Sequence, residues 1–193
     1  MNQQESFYSN KPNDSKAVYL TQENFPVKGD GIADDTKALQ LAIKEAKEKM
    51  GYGIVFIPEG HYRISETIYV PKAVRLIGFG EKRPLISLRK DSPGFQTVNA
   101  EDKGKANYMF WFTDTLPQPG EEIEDANPGT FYSAMSNINL KIEDGNPTAV
   151  ALRTHYAQHS FISHVDIDIG DGKAGIFDVG NEIENVRFFF FFY

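Results

Sequence analysis

The sequence predicts an all-β solenoid of short parallel strands, with one amphipathic α-helix near its N-terminal end. Three observations carry this. Asn137-Ile-Asn-Leu-Lys-Ile, His164-Val-Asp-Ile-Asp-Ile and Asn185-Val-Arg-Phe-Phe-Phe align so that Ile138, Val165 and Val186 coincide, at offsets of 27 and 21 residues. Leu140, Ile167 and Phe188 form the next matched set, and Ile142, Ile169 and Phe190 the third. A period in the twenties, built from short strands without helices between them, marks a β-solenoid, in which each coil buries its apolar edge against the next. A β-sandwich also uses short strands but does not demand rungs in register. Second, the hydrophobic period is helical up to residue 50 and strand-like from Gly53 onward. Third, 193 residues with 40% hydrophobic and 24% charged side chains suit one packed domain.

Element by element, residues 1–16 are polar and read as a flexible N-terminal arm, leaving 17–193 as the body. The helix is expected from Asp34 to Met50. Asp34 or Asp35 would cap it, because a short carboxylate accepts from the orphan amides and suits the positive end of the dipole. Ala38, Leu39, Ala42, Ile43, Ala46 and Met50 recur at spacings of three and four and give one apolar stripe; Gly51 stops the helix. Ile54-Val-Phe-Ile is a continuous apolar run, as in a strand covered on both faces. Short strands follow at 62–64, 68–70, 74–77, 85–88 and 108–112. Polar loops are expected at 91–107 and 116–130, the second with three prolines and two glycines. Beyond the aligned rungs, 150–152 and 175–177 read as a second parallel register.

Composition removes several function classes. Cysteine is absent, so there are no disulfides, thiol nucleophiles or zinc–thiolate sites. Basic residues number 20 against 27 acidic ones, net −7, a poor balance for nucleic-acid binding through phosphates. Glu121, Glu122, Glu124 and Asp125 concentrate part of that excess in one loop. No apolar run reaches the roughly 18 residues of a membrane span, and the first twenty residues lack the basic and apolar regions of a signal peptide. Gly170-Asp-Gly-Lys-Ala-Gly matches G-x-G-x-x-G, but strand-like residues follow it where a phosphate site needs a helix, so it reads as a turn. His155 and His159 have the i,i+4 spacing that converges on zinc only along a helix, and with His164 they read as turn or surface histidines; no metal site is expected from them.

Phe25-Pro-Val-Lys-Gly-Asp-Gly-Ile-Ala-Asp-Asp-Thr-Lys-Ala-Leu-Gln resembles the opening motif of the pectate-lyase-like superfamily. The likeness continues through Ile57-Pro-Glu-Gly-His-Tyr-Arg-Ile and Leu76-Ile-Gly-Phe-Gly. That superfamily includes polygalacturonases, rhamnogalacturonases, exo-β-1,3-glucanases of glycoside hydrolase family 55 and phage tailspikes. The resemblance implies a right-handed, single-stranded parallel β-helix whose N-terminal helix plugs the open end. Asp30, Asp34 and Asp35 are then structural cap and turn residues, which outweighs a metal role for three nearby acids.

It further implies a carbohydrate-active protein, the N-terminal part of a polysaccharide hydrolase or lyase, acting outside the cell or in the periplasm on an oligo- or polysaccharide. The alternative is a non-catalytic, tailspike-like fibre or adhesin. Glycan-contact candidates are Asp166 and Asp168, on one outer strand face with His164 beside them, and Trp111, whose ring suits the C–H face of a sugar. Calcium is the one cofactor candidate, through those aspartates. The catalytic residues are expected beyond this segment. Five consecutive phenylalanines, 188–192, form an uncapped, uncharged end that should self-associate.

Overall fold

The computed structural model describes residues 5–98 and 106–177. Its elements are β1 (Val18–Tyr19), β2 (Asp30–Asp34), α1 (Thr36–Met50), β3 (Gly53–Pro58), β4 (His61–Ile64), β5 (Ile68–Pro71), β6 (Val74–Phe79) and β7 (Leu85–Leu88). They continue with β8 (Asn107–Thr113), β9 (Ala134–Ser136), β10 (Asn139–Ile142), β11 (Ala149–Arg153), β12 (Phe161–Ser163), β13 (Ile167–Asp168) and β14 (Ala174–Phe177). Every pairing between these strands is parallel. Three sheets result: sheet 1 in the order β1-β3-β6-β9-β12, sheet 2 in the order β13-β10-β7-β4-β2, and sheet 3 in the order β14-β11-β8-β5. Each coil contributes one strand to each sheet, except the first, where α1 follows β2 in place of a sheet 3 strand, so the chain is a parallel β-helix as the rung alignment requires.

The aligned positions are true partners: Leu140 pairs with Ile167. Inside, side chains stack in columns along the axis. Val55, Leu76, Met135 and Ile162 form one. Tyr62, Ile86, Leu140 and Ile167 form a second, and Ile68, Phe110, Leu152 and Ile176 a third. Nearly all belong to one continuous core. Ile54-Val-Phe-Ile is covered on both sides, because Val55 and Ile57 face this core while Phe56 packs outside with Ala17 and Phe79. The third aligned segment, around Asn185, and the phenylalanine run lie outside the described residues. Sequence reading missed β1, β2, β9 and β12, each short or set against a turn.

The plug forms as expected except at Met50, the last residue of the expected stripe, which is exposed at the helix end. Ala38, Leu39, Ala42, Ile43 and Ala46 are buried in the main core, and Gly51 ends the helix in the left-handed region at φ 74°, donating its N–H to Lys47 O. The start differs from expectation. The helix begins at Thr36, and Asp35 stands at the cap position without a side-chain bond to the helix. Its carboxylate instead accepts from the amides of Lys28 and Gly29, pinning the turn before β2. Asp34 takes the first helical amide, that of Thr36, and Asp30 accepts from the amides of Ile32 and Ala33, which a bulge in β2 removes from the ladder. All three aspartates thus satisfy backbone donors.

One contact was not foreseeable. On the side facing α1, β5 has no neighbouring strand, and the Gln40 amide takes that place. It donates to Tyr69 O and accepts from Tyr69 N. Residues 5–8, in the stretch read as an arm, lie along the corner between sheets 1 and 2. Phe7 N donates to Asn137 Oδ1, Ser6 N to Glu81 O, and Gly80 N to Tyr8 O. Gly78 is required at this corner, since an added Cβ would collide with the carbonyl of Asn137.

Candidate glycan-binding face

Both long insertions fall in the coil of β6, β7 and β8, before and after β8, and the one after β8 folds back beside the outer side of sheet 3. Here each of two strands turns two consecutive residues inward: Met109 and Phe110 in β8, Ala151 and Leu152 in β11. Tyr108 and Trp111, and with them Val150, are thereby left on the outside with Phe177. An irregularity of this kind re-aims side chains at the cost of a regular ladder. Tyr69, Trp111, Arg153 and Phe177 are register partners across the four strands. They form a row about 14 Å long at the usual strand spacing. The Tyr69 and Trp111 rings lie 6.1 Å apart, and Tyr108 meets Trp111 edge-on at 5.1 Å.

Asp125 organises the row. The loop after β8 folds back so that Asp114 N donates to Glu124 O and Ala126 N to Phe112 O, which sets Asp125 beside the sheet. Asp125 Oδ1 accepts from Trp111 Nε1 at 2.7 Å and Arg153 Nε at 2.9 Å; Oδ2 accepts from Arg153 Nη2 at 2.6 Å and faces His155 Nδ1 at 3.4 Å. The guanidinium in turn lies over Tyr108 and Trp111 and donates to the Tyr108 hydroxyl. Burial pushes the Asp125 carboxyl up. The bonds from Arg153 and Trp111, with the arginine charge, outweigh this and hold it below the ordinary carboxylate value. It stays ionised and fully engaged. Such a group orients an indole and a guanidinium, and it does not serve as a proton donor.

The four sequence-predicted glycan contacts do not come together. Trp111 lies on sheet 3. Asp168 lies on sheet 2, 3.8 Å from Lys141 Nζ, and Asp166 pairs with Arg83 at 3.2 Å. His164 sits in the turn between sheets 1 and 2 with φ 53° and stacks on Phe7. Each aspartate faces its own cation, and among the described residues no group of three or more histidines and acids could hold a metal ion; the calcium candidate therefore finds no convergent oxygen set here. Of the aromatic run 108–112, Phe112 is in the core and Tyr108 is covered, so Trp111 is the ring left partly open. Sequence reading missed Asp125 and Arg153. Asp125 was legible only as one of four acids in a loop, and Arg153 only as the end of a strand.

A stack of parallel coils with a helical plug and a loop-walled outer face defines the protein as a pectate-lyase-like β-helix. Residues 23–186 match the family described as rhamnogalacturonase A/epimerase, pectate lyase-like, and the chain belongs to it. It is 34% identical over 64 residues to a glucan 1,3-β-glucosidase of Cochliobolus carbonum, a match covering 33% of this chain and 8% of that one. It is 38% identical over 98 residues to a probable glucan endo-1,3-β-glucosidase of Arthroderma benhamiae, covering 48% of this chain and 11% of the relative. These matches therefore span about a tenth of the relatives' length. Among solved structures, the A-module of a mannuronan C-5 epimerase from Azotobacter vinelandii superposes with a TM-score of 0.51 at 19% identity, over 82% of this chain and 41% of the module. That likeness concerns the right-handed fold alone.

Proposed function

We propose that this chain is the N-terminal part of a carbohydrate-active β-helix protein and binds a polysaccharide on the outer face of sheet 3. The observation that carries the reading is the row Tyr69, Trp111, Phe177, pre-set by Asp125 and Arg153 beside the long loop after β8. Flat rings held in one register offer apolar surfaces to sugar rings at little cost in side-chain entropy. Membership of a family named for glycan-processing enzymes, and relatives named as glucosidases, support it. With a polysaccharide as substrate, we propose that the protein acts outside the cell or in the periplasm. Asp166, Asp168 and His164 lie on another side of the helix, outside the proposed binding face.

Cleavage is not assigned to this face. Glycoside hydrolysis needs one carboxyl group able to give a proton, and Asp125 is held ionised. Affinity electrophoresis in gels containing β-1,3-glucan, alginate or polygalacturonate tests the reading. At least one polysaccharide should retard the wild type, and Trp111→Ala should reduce the retention roughly tenfold, while Asp168→Asn leaves it unchanged. Equal retention of the wild type and Trp111→Ala would remove sheet 3 as the binding face. Release of reducing ends or unsaturated products by the chain would show that it also cuts.

A further inference from the structure

The row on sheet 3 does not stop at Tyr69. Beyond that ring, between the outer side of α1 and the loop after β8, lies a groove with a cavity volume of about 650 Å³, well within the range of built ligand sites. Its walls mix charged and apolar residues, the apolar ones being Leu41 from the helix and Leu116, Pro117 and Ile123 from the loop. Leu41 is 48% exposed, an unusual place for a leucine in a helix whose other face is the plug. The floor is closed, because the Gln40 amide is bound to the Tyr69 backbone. Tyr69 lines the groove and is also the first ring of the row, so the two surfaces are continuous.

The charges around the groove show what kind of strand fits. Lys37 and Lys44 are offset by Glu66 and Glu121 within the lining, and Lys44 is further paired with Glu48 at 3.7 Å. The walling loop adds Glu122 and Glu124. On the row, Arg153 is neutralised by Asp125, leaving Lys173 over Phe177 as the one uncompensated cation there among the described residues. A polyanion gains from a net-positive surface and is repelled by like charge. This path is balanced to acidic.

We infer that the groove is a further binding subsite, taking an uncharged polysaccharide strand that runs along the sheet 3 row and continues past Tyr69 over the helical cap. The inference rests on the sheet-face reading and extends it to a second surface and a substrate class.

Calorimetric titration of the full chain with short and long β-1,3-gluco-oligosaccharides, and with oligogalacturonates of the same two lengths, tests it at low salt. The long glucan should bind roughly tenfold more tightly than the short one. Leu41→Trp and, from the opposite wall, Ile123→Trp should remove that increment and leave the short glucan unaffected, with circular dichroism unchanged. Oligogalacturonate should show no increment with the wild type and acquire one in Glu121→Gln/Glu122→Gln. A length increment that survives both groove-filling variants, or one that oligogalacturonate shows with the wild type, overturns the inference. Short-glucan binding that is indifferent to Trp111→Ala overturns the sheet-face reading instead, no binding of either glucan overturns the inference, and no binding of glucan or oligogalacturonate counts against both.

Discussion

Asp125 and Arg153 are the pair on which the outer face of sheet 3 depends. The arginine side chain is 9% exposed and the aspartate 28%, so removing the carboxylate takes two charge-assisted bonds from a nearly buried cation and frees the indole N–H of Trp111. Breaking a buried pair from one side costs about 3–5 kcal/mol, and the partial exposure of Asp125 puts its loss at or below the lower figure. Asp125→Ala should therefore unfold at lower denaturant by about 2–3 kcal/mol. Asp125→Ala/Arg153→Met should recover part of that loss, because no charge is then left unmatched. A double variant as unstable as the single one would mean the loss came from the loop and not from the charge. The pair was invisible in the sequence because 28 residues and a proline-rich loop separate its members; nothing in local periodicity links an acid in a loop to an arginine at a strand end. Trp111 was legible as a candidate, since a flat ring suits the C–H face of a sugar. Asp166 and Asp168 were legible as an outward pair by alternation, but alternation says nothing about Arg83 and Lys141 on neighbouring coils.

At the scale of the element, α1 and the rungs could be read directly, because both write their period into a short window. Leu39 and Ile43 are fully buried, and replacing either by Ala should cost about 2–5 kcal/mol in thermal or chemical unfolding. A loss below about 0.5 kcal/mol, usual for surface positions, would mean the helix is not the plug. Gln40 was not legible, since it interrupts no pattern and its role depends on β5 lying beneath it. Gln40→Leu should leave the helix intact yet speed hydrogen exchange at the Tyr69 amide by roughly tenfold, the worth of about one net hydrogen bond. Unchanged exchange would show that the edge is protected by packing alone. The missed strands β9 and β12 have three residues each; their pairing is imposed by coils above and below and not by their own composition.

For the whole molecule, acid should destabilise in two stages. Burial holds the His61 ring below its ordinary 6.5, with Arg63 and Lys141 adding repulsion against the attraction of Glu143. The folded state therefore favours neutral His61, and this contribution is present above pH about 6.5 and declines as pH falls below it. In Asp34, Asp125 and Glu143, burial pushes the carboxyl up but hydrogen bonds and nearby arginines prevail, so all three lie below their ordinary values of 3.8 to 4.5. Their stabilisation is present above that range and is lost as pH falls through the folded values. Denaturation midpoints should fall gently below pH about 6.5 and steeply below about 4, and His61→Gln should abolish the gentle stage alone. A midpoint that rises on acidification would contradict both signs. The Gln40 amide bears on a different property of the stack. By offering one donor and one acceptor where the next strand would lie, it turns an edge ready for templating into a finished surface, so the capped end cannot recruit a strand from another chain at β5. At this edge of sheet 3 the solenoid is in this respect a terminated polymer: a foreign strand, whether in assembly or in misfolding, finds no free donor and acceptor at Tyr69 on which to begin.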